Sequence, residues 1–296
     1  MPVAPTMRAR LDGRIVRLPR PLLNAALRLR GDAPSDIDYR TWTEQRVSEP
    51  AVQAAIGFVS LPTFHHDPGE LSAAFCQERF RRLVHNGHRV RYVIGGWSVL
   101  VDALARRARD LGVEIQTGSP VNEMQPAPVI LALPLKAAGR LLGRDLQGRG
   151  AATVLLDVAI RPKRPGPRVV FDLTERLYLT RTTGPDPGLA PAGEELIQTA
   201  AGLRPNESIE QATARIEAAM DDGFPDWRVS ETWRRRSLAE NSSGAVDPPG
   251  STWQDRPPID QGHGIFLVGD MVAAPGLLSE VAHHSAIQAA HLAAAL

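Results

Sequence analysis

The chain has a single cysteine, Cys76. That excludes an intramolecular disulfide framework and any metal site built from several thiolates. It also fits a reducing compartment, so a cytoplasmic protein is expected. No apolar run approaches the roughly 20 residues needed to span a bilayer, and there is no signal-peptide core. The expectation is a soluble or at most peripheral protein without an integral membrane segment. Charge of one sign is missing too: 34 Lys+Arg stand against 33 Asp+Glu, a net charge of +1, so no global field recruits nucleic acid. Internal repeats and heptads are absent, which excludes solenoids and coiled coils.

What is present suits a globular enzyme-sized protein. At 296 residues the chain is long enough for two domains of about 150 residues each. Arginine is dense in MRARLDGRIVRLPRPLLNAALRLR (7–30). The segment reads as a transit peptide, a membrane-surface patch or, best supported, a hairpin: Asp12-Gly13 sits between alternating apolar and basic residues, the pattern of a two-residue turn. A short helix follows over 21–29, then mostly helical stretches at 41–55 and 70–86, with LPTFHHDPGE as the loop between the last two. RVRYVIGGW (89–97) reads as a strand entering a Gly-Gly turn. Ser98 opens a helix whose Val99, Leu100, Ala103, Leu104 and Ala108 share a face, stopped at Gly112. VEIQTG (113–118) and PVILALP (128–134) read as strands, making a βαβ-type piece of a parallel sheet. From Ala151 the text turns strand-rich: ATVLLDVAI, RVVFDL, RLYLTRT and ELIQTAA. One amphipathic helix spans 208–222, and a last strand runs through RVSETWRRR. A loop over 241–264 leads to a closing strand and helix.

The closing segment, GIFLVGDMVAAPGLLSEVAHHSAIQAA (264–290), carries the clearest chemical signal. An apolar strand ends in Gly269-Asp270, at the carboxyl end where open α/β sheets bind ligands. Glycine permits close approach, aspartate accepts hydrogen bonds from ribityl or ribose hydroxyls, and the helix start near residues 276–279 offers free amides. The same pattern also fits a plain strand-loop-helix with a turn aspartate.

RYVIGGWSVLVDALARRARDLGVEIQTGSPVNEM (91–124), PVILALPLKAAGRLL (128–142) and the closing segment, in that order around a strand-rich insertion, resemble three blocks of the FAD-dependent amine oxidase and phytoene desaturase superfamily. The resemblance implies α/β plus α+β architecture: an incomplete Rossmann-like FAD-binding domain with an inserted antiparallel-sheet substrate domain. It divides the chain into a helical and hairpin cap part at 1–88, a discontinuous FAD-domain part at 89–142, a strand-rich substrate domain at 143–245, and the FAD-domain strand and helix at 246–296. FAD is the implied cofactor. Gly95 and Gly96 would line the flavin, with Trp97 either bordering it or packing in the core, and Val121 would touch adenine. Gly269, Asp270, Gly276, Leu277 and Leu278 would hold the ribityl and pyrimidine end.

The sequence departs from that pattern in one major respect. No strand–GxGxxG–helix occurs; Gly148-x-Gly150 and Gly262-x-Gly264 precede strands, where such a turn follows one. A second departure is the short connection VNEMQPAPV (121–129), which leaves no room for the family's inserted meander. Two functional expectations follow. One is an FAD-dependent oxidoreductase taking hydride from a small organic substrate, an apolar one being compatible; at 5% aromatic residues, the rings for an amine-binding cage are few. The other is a non-catalytic or partner-dependent remnant, whose exposed FAD-domain surface a second chain or another copy covers. A start upstream of Met1 is a third expectation. No catalytic acid or base is assigned. His65-His66 and His283-His284 with His291 lack a cysteine or carboxylate pair at ligand spacing, so no metal is expected.

Overall fold

The computed structural model describes residues 7–86, 91–146, 148–164 and 166–296. The predicted hairpin forms β1 (Met7–Leu11) and β2 (Arg14–Val16). Its turn residues Asp12 and Gly13 both have positive φ, 49° and 73°, the backbone that matches strand twist. Four helices follow. α1 (Arg20–Arg28) carries Pro21 in its first turn, where its fixed φ is suited. α2 (Tyr39–Glu44) is capped by Asp38, which accepts the Thr41 amide at 2.8 Å. The expected 41–55 helix is thus broken, and α3 (Glu49–Thr63) continues eight residues further, through Pro62. α4 (Ala73–Asn86) completes the group. Their core holds Tyr39 stacked on Trp42 and Phe58 edge-on to Phe80.

The next elements are α5 (Trp97–Asp110), β3 (Val129–Leu131) and α6 (Leu135–Leu142). Then come β4 (Gly150–Ile160), β5 (Val169–Asp172), β6 (Leu177–Arg181) and β7 (Glu195–Gly202). The capping box of Ser208 and Gln211 opens α7 (Ile209–Gly223). The short α8 (Trp227–Ser230) occupies the start of the expected last strand, and β8 (Glu231–Ala245) takes the first residues of the expected 241–264 loop. The chain ends in β9 (Ile265–Leu267) and α9 (Ser279–Ala294).

Seven strands form one sheet in the order β2-β1-β5-β6-β7-β4-β8. All its pairs are antiparallel except β1 with β5, which run parallel from Met7↔Val169 to Arg10↔Asp172. The expected antiparallel sheet is therefore mixed, and it incorporates the N-terminal hairpin. Arg10 fixes that junction by pairing with buried Asp172 (2.5 Å) and with Asp222 of α7 (2.6 Å). Adjacent residues of β5 point to opposite faces: Val170 joins the α7 core with Ile216, Met220 and Trp227, whereas Phe171 meets Phe58 of α3. At Gly57 α3 packs tightly on the chain leaving β5, where a Cβ would sit 2.2 Å from the Leu173 carbonyl oxygen.

A smaller unit joins β3 and β9, paired in parallel from Val129↔Ile265 to Leu131↔Leu267, to α6 and α9. The βαβ expectation around α5 is corrected. Residues 91–95 and 113–118 form no strand, and α5 buries none of its residues; residues 89 and 90 lie outside the described residues. The apolar stripe on α5 is real, but periodicity identifies a face and not what covers it.

Candidate functional site

β9 delivers the chain to Gly269 and Asp270. The Val268 amide donates to Leu131 (3.0 Å), and the Gly269 amide then turns to Ser285 Oγ (3.1 Å). Ser285 is fully buried and lies 2.9 Å from the Ala282 carbonyl, so α9 is fastened to the end of β9. Gly269 has φ +150°, a conformation L side chains rarely adopt, and a Cβ there would meet nothing within 4 Å. Its backbone is both glycine-dependent and open in front. Asp270 is half-buried, and among the described residues its carboxylate has no hydrogen bond or ion pair. Only its carbonyl is used, by the Ala245 amide at 3.3 Å.

The loop through Gly276, Leu277 and Leu278 ends at the N-terminus of α9. Glu280 folds back there: its carboxylate accepts the Leu277 amide (2.9 Å) and Arg82 Nη1 (2.7 Å). Partial burial works against its charge, yet these two donors hold Glu280 below the usual carboxylate range. Among the described residues the amides of Leu278 and Ser279 are unpaired. These two amides are the free donors at the start of α9, where the Glu280 carboxylate already takes the Leu277 amide.

The other predicted residues lie elsewhere. The Gly95 amide donates to Asp186 Oδ2 at 2.6 Å, and a Cβ on Gly96 would lie 3.4 Å from Leu189. The Gly-Gly turn is thus held by the loop between β6 and β7. Trp97 is 72% exposed, so it is no core residue, and Val121 is 55% exposed. No hydrogen bond joins these four to Gly269–Leu278 among the described residues. Sequence reasoning missed Asp186, Ser285, Glu280 and Arg82. Asp186 carried one signal, the Asp-Pro-Gly turn of 186–188; the long-range partners carried none.

A cavity of about 400 Å³ lies between α4 and the start of α9, bordered by Arg79, Arg82, Arg256, Asp247, Gly276 and Glu280. Arg256 and Asp247, both buried, pair in two hydrogen bonds of 3.0 and 2.9 Å. Arg79 is buried with its guanidinium 3.3 Å from the centroid of the Phe75 ring, and its Nε has no partner. Burial pulls its pKa down to about 10.

In the turn that follows α3, His65, His66 and Glu70 bring one ligand atom each within 4.8 Å of one another. A carboxylate therefore does reach the histidine pair, through the turn at Asp67-Pro68-Gly69. His65 Nδ1 accepts the Asp67 amide at 3.1 Å, and burial lowers the His65 pKa to about 4.

No protein-family model matches the sequence, and no curated protein matches it. Solved structures do. An oxidoreductase from Methanosarcina mazei superposes with TM-score 0.73 at 16% identity, over 97% of this chain and 80% of that one. A putrescine oxidase redesigned in its cofactor binding gives 0.64 at 12%, over 99% and 82%. Cyclohexylamine oxidase from Brevibacterium oxydans gives 0.59 at 12%, over 98% and 81%. The chain has the fold of amine-oxidase-type oxidoreductases.

Proposed function

We propose that this chain is an FAD-dependent oxidoreductase of the amine-oxidase type, acting on a small organic substrate. The observation that carries the proposal is the end of β9. There an open glycine backbone is followed by an aspartate whose carboxylate is unpaired among the described residues, and α9, fastened to the strand end through Ser285, begins with two free amides.

These residues fit the ring end of a flavin. Asp270 would accept hydrogen bonds from ribityl hydroxyls, and the Leu278 and Ser279 amides would donate to the electron-rich pyrimidine edge. Gly269 would allow the cofactor against the backbone, with Ser285 keeping strand and helix in register. When bound, the flavin supplies the redox chemistry by accepting a hydride, and the protein binds and orients substrate against it. Gly95, Gly96, Trp97 and Val121 are proposed to complete the cofactor's surroundings. The fit fails at the dinucleotide end: the described residues offer no glycine-rich strand-to-helix turn for a pyrophosphate.

A second reading has its own observation. α5 and the stretch after it expose Trp97, Leu104, Leu111 and Val113, and among the described residues β3 pairs on one side only. An apolar helix beside an open parallel edge is a surface that soluble proteins normally cover. In this reading a second chain or another copy completes the cofactor site.

Titrating the purified chain with FAD and recording the visible spectrum separates the two. A bound, reducible flavin on the isolated monomer supports the first. Absence of binding by the folded chain rejects independent catalysis.

A further inference from the structure

The arginine-rich segment is not used by the site. Residues 14–31 contain Arg14, Arg17, Arg20, Arg28 and Arg30 and no acidic residue. All five are exposed, and among the described residues none forms an ion pair. Interleaved with them are three leucines in water: Leu18 is 61% exposed, Leu23 43% and Leu27 55%.

The arrangement follows from helical geometry. α1 buries Leu22 and Ala25 against the fold. Leu23 and Leu27, four residues apart, share the outward side with Arg20, Asn24 and Arg28. Beside them an apolar groove of about 270 Å³ opens between α1 and α4, bordered by Leu18, Leu22, Leu23, Phe58, Leu83 and Phe171. Exposed Leu18 and Leu23 thus border the groove itself, with Arg8 and Arg17 also on its rim, and Leu27 lies one turn further along α1. A polyanion such as nucleic acid would satisfy the arginines and leave the leucines wet. An anionic bilayer satisfies both, since leucines enter the acyl boundary while arginines reach lipid phosphates. No helix of the described residues is long and apolar enough to cross a membrane, so attachment would be peripheral.

We propose that α1 and the turn before it dock the protein reversibly on an anionic lipid surface. Leu18, Leu23 and Leu27 sit at the headgroup boundary, and the five arginines engage the lipid phosphates. This docking does not depend on the flavin assignment.

The test is co-sedimentation of the full chain with phosphatidylcholine vesicles, with and without about one-third phosphatidylserine, at low and high salt. Binding is expected only to the anionic vesicles and should weaken with salt. Arg20→Ser with Arg28→Ser should lower it about fivefold per arginine. Leu23→Ser with Leu27→Ser should also lower it at unchanged net charge, with the circular-dichroism spectrum and unfolding midpoint showing the variants folded. Equal binding to neutral vesicles, or leucine variants that sediment like the parent, would overturn the proposal. So would retention on heparin or RNA that outcompetes the vesicles and ignores the leucines.

Discussion

Ser285 takes the amide hydrogen of Gly269 at 3.1 Å from a fully buried position on α9. This bond joins the C-terminal helix to the strand end that presents Asp270. Replacing Ser285 with Ala leaves the Gly269 amide without its partner. The expected cost is about 1–2 kcal/mol, read as a lower urea midpoint at unchanged slope. A variant as stable as the parent would show that the bond does not hold α9 in place.

Asp247 and Arg256 form a buried, two-bond pair on the wall of the cavity beneath α9. Asp247→Ala strands a buried guanidinium and is expected to cost about 3–5 kcal/mol. Replacing both residues with leucine should restore much of that loss, because the desolvation cost of two charges disappears with them. Denaturant unfolding of the three variants checks it; a double variant as unstable as the single one would contradict the account.

His65 makes stability pH-dependent. Burial lowers its folded pKa from 6.5 to about 4, so between those values the unfolded chain binds more protons than the folded one. Stability is therefore flat above pH 6.5 and falls as the pH drops toward 4. The expected loss from this group is roughly 2 kcal/mol at pH 5. His65→Asn keeps an acceptor for the Asp67 amide and should flatten this part of the profile. Urea unfolding of both proteins at pH 7 and pH 5 decides it; parallel profiles would reject His65 as the cause.

The apolar face of α5 contributes little to the fold. Leu100 and Leu104 are both exposed, so Leu100→Glu with Leu104→Glu should change unfolding free energy by less than about 0.5 kcal/mol each. Binding of a hydrophobic dye, or self-association in sedimentation, should decrease. A fall of several kcal/mol would mean that the face is covered within the chain itself.

Local features were legible in the sequence and partners were not. Asp12-Gly13 specified its hairpin because both residues tolerate positive φ, and the amphipathic pattern over 208–222 located α7. Nothing local indicated that β1 would run parallel beside β5, since Arg10 meets Asp172 across 162 positions. VEIQTG alternates like a strand, yet alternation supplies only a face, and no neighbouring strand pairs with it. At the site, Gly269-Asp270 and the helix start were readable from their residue types. Ser285 and Glu280 were not, because their roles arise only when α9 folds back on β9 and α4. Glu70 escaped notice beside His66 because the Pro-Gly turn closes their separation to 3.7 Å.

The proposed flavin site lies at the end of β9 and the start of α9, with Asp270 as its proposed anchor. Its most direct measurement is an FAD titration of the parent and Asp270→Ala, followed by quenching of flavin fluorescence. The carboxylate has no partner within the described residues, so the substitution should leave unfolding free energy within about 0.5 kcal/mol. FAD affinity should fall at least about tenfold, the loss of a charge-assisted pair of hydrogen bonds. Equal affinity of parent and variant for FAD, with both proteins folded, would contradict the account.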